Sequence, residues 1–156
     1  MAFELIVACC DRVPVDLRER WPASLTKHDI QGEIHPGFTT PDDWGGGFLP
    51  FRIDAIPHNL IDAAPLAPAI TGFEVDFHET SAHFRSAMGR TCSEFALLCL
   101  CAAELAMMTS GEIHDPQTGE SYAAGDARQA ALNEIRDTLA YPGAADRKQY
   151  PFESWS

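Results

Sequence analysis

Thr91-Cys92-Ser93-Glu94, running into Phe95-Ala96-Leu97-Leu98-Cys99-Leu100-Cys101-Ala102-Ala103-Glu104-Leu105-Ala106-Met107-Met108, is the stretch whose reading decides the fold. Its first four residues fit the S/T-x-x-E capping box, in which a hydroxyl and a carboxylate each satisfy a free N–H of a helix's first turn. From Phe95 to Met108 the only charge is Glu104, so the pattern predicts a helix over about 92–109, apolar nearly all round. A helix of that kind belongs at the buried centre of a domain. Gly111 is the expected cap just past its end. Glu104 reads as a buried general base with a raised pKa, as the partner of Arg52, Arg85 or Arg90, or as a residue on a thin exposed stripe of the helix.

Upstream, Phe73, Val75 and Phe77 alternate with Glu74, Asp76 and His78, the period-2 mark of a strand with one wet face. Glu79-Thr80-Ser81 is a turn, and Ala82 to Met88 returns as the second arm of a hairpin. Phe3 to Cys9 reads as a first strand, and Asp29 to His35 as another extended piece. Pro14 with Asp16, Leu17 and Trp21 suggests a short helix that Pro22 stops or kinks. Prolines from Pro36 to Pro68, together with Gly45-Gly46-Gly47, forbid long regular elements there. Phe38, Trp44, Phe48, Leu49 and Phe51 nevertheless predict a packed region with a strand near Phe48 to Ile53.

Downstream, Glu112-Ile113-His114 is a short strand and Asp115 to Gly119 a turn. A second helix is expected over about 126–140, with Ala127, Ala131, Ile135 and Leu139 on one face. Tyr150, Phe152 and Trp155 predict a tail docked on the body. The expected fold is therefore α+β: a mainly antiparallel sheet on a buried central helix, with a second C-terminal helix, in one domain over 1–156.

Composition narrows function more by exclusion than by assignment. Of 156 residues, 46% are apolar and 22% charged, as in ordinary globular chains. Eleven Lys and Arg against 23 Asp and Glu leave a net charge of -12, which disfavours nucleic acid and anionic lipid and favours a basic partner. Asp29, Glu33, Asp42, Asp43, Asp54, Asp62, Glu74, Asp76 and Glu79 are opposed by Arg52 alone between His28 and Phe84. Five cysteines crowded in apolar segments, and an N-terminal strand that carries Glu4 and no basic stretch, suggest a cytoplasmic protein with reduced thiols. The longest apolar run is too short for a membrane span.

No chemical motif is strong. Gly45-Gly46-Gly47 lacks the Lys and Ser/Thr of a phosphate loop. The histidines are scattered, Cys99 and Cys101 diverge on a helix, and Cys9 and Cys10 point to opposite faces of a strand, so neither a metal nor a cofactor is expected. Cys92, in the first turn of the capped helix, could be a nucleophile with His83 as its base, which would make the chain a small cysteine-dependent enzyme.

Phe84-Arg85-Ser86 with Gly89-Arg90, the helix ending Ala102-Ala103-Glu104-Leu105-Ala106, and Gly111 to Gly119 followed by Tyr122 resemble the C-terminal half of a known class. These are the small α+β immunity proteins that bacteria encode beside polymorphic or secreted toxins, and the resemblance covers about residues 82–140. It implies a non-catalytic inhibitor that binds a cognate toxin. The acidic, aromatic-bearing stretch then supplies the expected binding face: Asp42, Asp43 and Trp44, flanked by Glu74 and Asp76. A structural or small-molecule-binding domain built on Pro36 to Pro68 is the third reading.

Overall fold

The computed structural model describes residues 2–57, 69–87 and 92–139. Seven strands form one antiparallel sheet: β1 (Ala2–Ala8), β2 (Gln31–Ile34), β3 (Phe48–Ala55), β4 (Ala69–His78), β5 (Ser81–Ala87), β6 (Glu112–His114) and β7 (Ser121–Ala123). Their order across the sheet is β2-β3-β4-β5-β1-β6-β7, which places the first strand of the sequence between β5 and β6. Three helices, α1 (Leu17–Leu25), α2 (Cys92–Met108) and α3 (Ala124–Leu139), pack on one another and on the sheet. The fold is the expected α+β arrangement, with α2 as its centre.

Strand alternation sorts the two faces. Leu5, Val7, Leu49, Phe51, Phe73, Val75, Phe84 and Ile113 are all buried beneath the helices. From Ala96 to Ala106 every side chain of α2 is buried, Glu104 included, as its nearly unbroken apolar sequence requires. Trp21 of α1 ties the layers together. It is fully buried, donates its indole N–H to Cys101 O of α2 at 3.0 Å, and packs on Phe73, Phe77 and Phe84 with ring centroids 5.9–6.0 Å away.

Several boundaries differ from expectation for local reasons. Pro22 lies inside α1 without ending it, because Leu17, Trp21 and Leu25, one i+4 face, are all buried and hold the helix past the lost hydrogen bond. Gly111 is not the left-handed residue after α2. Ser110 takes that role at φ 52°, the Gly111 N–H closes onto Ala106 O at 2.8 Å, and Ser110 N–H reaches Met107 O, a Schellman ending displaced by one residue. Gly111 serves a different need there: a Cβ on it would stand 2.2 Å from Ala8 O of β1. β2 is shorter than Asp29 to His35, and α3 begins two residues before Asp126, straight out of β7, a strand with no sequence signal of its own. Thr91 of the capping box, the stretch 58–68 and the aromatic tail lie outside the described residues.

Candidate functional site

The face of the sheet turned away from the helices carries no described helix, and its registers align two polar rows. Phe48, Glu74, Arg85 and Glu4 form the first; Asp76, His83, Ile6, His114 and Ser121 form the second. Glu4 is shared by Arg85 and His83, at 3.2 and 3.3 Å. Arg52 is bracketed by Glu33 and Asp54. Glu74 and Asp76, both exposed, have no ion-pair partner among the described residues. They line a shallow cleft of about 190 Å³ with Gly47, His83 and Arg85. Arg85, the cross-strand neighbour of Glu74, already serves Glu4, so the middle of this face carries more carboxylates than guanidinium groups.

The glycine triplet closes one end of the cleft. Gly47 O accepts the Val75 N–H at 3.0 Å, and Gly46, at φ 87°, lies so near β4 that a Cβ would stand 2.3 Å from Asp76 Oδ1. The positive φ is what favours glycine at this position. Asp42 and Asp43 sit on the exposed turn before it, Asp42 paired with Arg12 at 2.9 Å and Asp43 accepting the Thr40 hydroxyl at 3.2 Å. Trp44 turns inward, half-buried, its ring edge-on to Phe38 with centroids 5.7 Å apart. The structure thus brings the triplet against Asp76, leaves Asp42 and Asp43 at the rim, and makes Trp44 a support of the turn from within.

His83 projects from the face opposite the one on which α2 packs, with Glu4 as its near neighbour; the side chain of Cys92 lies outside the described residues. Cys99 and Cys101 are fully buried, and burial pushes both thiols well above their ordinary range. Cys10 is exposed. Native-state alkylation mapped by peptide mass is therefore expected to modify Cys10 and to spare Cys99 and Cys101 until the chain unfolds; rapid native labelling of either buried thiol would contradict this core.

Glu104 corrects the sequence reading. Among the described residues its partner is neither Arg52 nor Arg85 but Arg128 of α3, whose Nε donates to Oε2 at 2.9 Å and Nη2 to Oε1 at 2.8 Å, with His28 Nε2 3.8 Å from Oε1; Arg90 lies outside the described residues. Burial pushes the carboxyl up, but His28 and the Arg128 guanidinium outweigh it and hold Glu104 below its ordinary value, the reverse of a raised general base. A lone charge on an apolar helix was signal enough that a partner exists. Its identity is set by how α3 packs on α2.

Elsewhere, Asp115, Tyr122 and Glu134 surround a cavity of only about 10 Å³, too small for a ligand. Among the described residues no His, Cys, Asp and Glu cluster could hold a metal ion, and no helix is long and apolar enough to cross a membrane. No family model, no curated protein and no solved structure matches this chain.

Proposed function

We propose that this chain is an inhibitor of the immunity-protein kind, which neutralises a cognate basic toxin by docking the helix-free face of its sheet on it. The observation that carries this reading is the pair Glu74 and Asp76, exposed at the middle of that face without an ion-pair partner among the described residues. Asp42 and Asp43 extend the negative field along the rim, and the net charge of -12 steers a cationic partner from a distance. Against a nuclease, carboxylates so placed would occupy the subsites of substrate phosphates.

The test begins with capture of the partner from native cells over a salt series and identification by mass, followed by kinetics with the purified pair. Glu74→Lys with Asp76→Lys is expected to slow association at least about tenfold at low salt, with the gap narrowing as salt screens the field. Asp42→Lys with Asp43→Lys should act in the same direction more weakly, since Arg12 already offsets Asp42. An unchanged on-rate in the β4 variant, or a captured partner whose activity survives stoichiometric complex formation, overturns the reading.

A further inference from the structure

The helical side of the molecule has a cleft of about 390 Å³ between α1, the 3-10 turn Thr26–His28, α2 and α3. Arg20, Lys27 and Arg128 converge on it from three separate elements, above Glu104 and beside Met107 and Met108. In a chain with eleven Lys and Arg and a net charge of -12, this is an unusual concentration of cations. We propose that the cleft is a binding site for a small phosphate monoester with an apolar organic portion, distinct from the acidic sheet face.

Arg128 is built for such a ligand. Glu104 engages Nε and Nη2 and so fixes the plane of the guanidinium, while Nη1 has no hydrogen-bond partner among the described residues. A guanidinium oriented by a buried carboxylate and still holding free N–H donors is pre-organised to grip a phosphate oxygen. Lys27 adds an exposed ammonium with no ion pair among the described residues, and Arg20 meets only Asp16, exposed and 3.9 Å away. Three cations thus face one carboxylate that Arg128 already occupies, an excess that suits a dianion better than a neutral or cationic guest.

Two further observations agree. The His28 side chain is nine-tenths buried, and its Nε2, 3.8 Å from Glu104 Oε1, has no hydrogen-bond partner among the described residues. Met107 is one of two exposed large apolar side chains among the described residues, and with Met108 it offers an adaptable apolar wall beside the cations. The volume falls in the range of small-molecule pockets, roughly 300–1,000 Å³.

Phenyl phosphate is the probe. Titrated into the full chain and followed by calorimetry and amide NMR, it is expected to bind saturably at one site, with shifts concentrated at residues 20–28, 104–108 and 128. Inorganic phosphate should bind the same residues more weakly, and phenol should not bind. Lys27→Gln and Arg20→Gln, both surface changes, should each weaken the affinity at least about fivefold. Arg12→Gln removes an exposed cation outside the cleft and should leave the affinity unchanged. Absence of saturable shifts up to about 10 mM probe, or an equal loss in Arg12→Gln, overturns the proposal.

Discussion

Trp21→Ala is expected to destabilise the chain by about 4–5 kcal/mol, a large fraction of the stability a domain of this size ordinarily has. The side chain has no exposure, and the cavity it would leave is walled by Phe51, Phe73, Phe77 and Phe84, rings anchored on three different strands that cannot all collapse inward. Loss of the hydrogen bond to Cys101 O adds a smaller penalty of about 1 kcal/mol, because it also unlinks α1 from α2. Trp21→Phe separates these contributions: it keeps most of the ring volume and should cost about 2 kcal/mol. Urea unfolding followed by far-UV circular dichroism measures both. A cost below about 2 kcal/mol for the alanine variant would mean that Trp21 is not the keystone between the layers.

Arg128→Ala is the second large effect, expected at about 2–3 kcal/mol near neutral pH. Removing one partner of a buried ion pair costs about 3–5 kcal/mol, reduced here because the Arg128 side chain is 36% exposed and its site can admit water. The effect has a pH signature. In the intact chain Glu104 is held below its unfolded value, so its contribution is present above about pH 4.3 and fades as pH falls through the folded pKa. Without Arg128, burial dominates and the folded carboxyl rises above its unfolded value, so the variant loses stability as pH climbs. The deficit should therefore widen from about pH 4 towards neutrality and shrink in acid, where the carboxyl is protonated in both states. A deficit independent of pH would reduce the pair to packing alone. The double variant Glu104→Leu with Arg128→Met should recover most of the loss, since neither charge is then stranded.

How much of this was legible beforehand depended on whether the cause was local. α2 and the β4–β5 hairpin could be read directly, because a capping box, an unbroken apolar run and strict alternation are written into consecutive residues. Glu74 and Asp76 were identifiable as wet-face residues by the same alternation. That they would face a glycine turn, and that Arg85 and His83 would be drawn to Glu4, depends on strand neighbours far apart in sequence. β7 escaped notice because three residues, Ser121–Ala123, carry too little pattern; only their pairing with β6 makes them a strand. Trp44 was legible as an aromatic among acids but not as one turned inward, since Phe38 receives it from the preceding loop. The cationic cleft left no trace, because Arg20, Lys27 and Arg128 meet only when three helices have packed.

The place of β1 has a consequence for how the molecule is assembled. Its neighbours are β5 and β6, so Leu5 waits for Phe84 and Val7 for Ile113, loops of roughly eighty and a hundred residues that must close before the sheet is continuous. Such non-local pairings slow folding, whereas the β4–β5 hairpin and the α2–α3 pair can form early from nearby sequence. On the ribosome, residues 2–8 emerge long before either partner strand exists and stay without a sheet to join until β5 has been made. The first of the seven strands to be synthesised is the one whose arrival unites the two halves of the sheet.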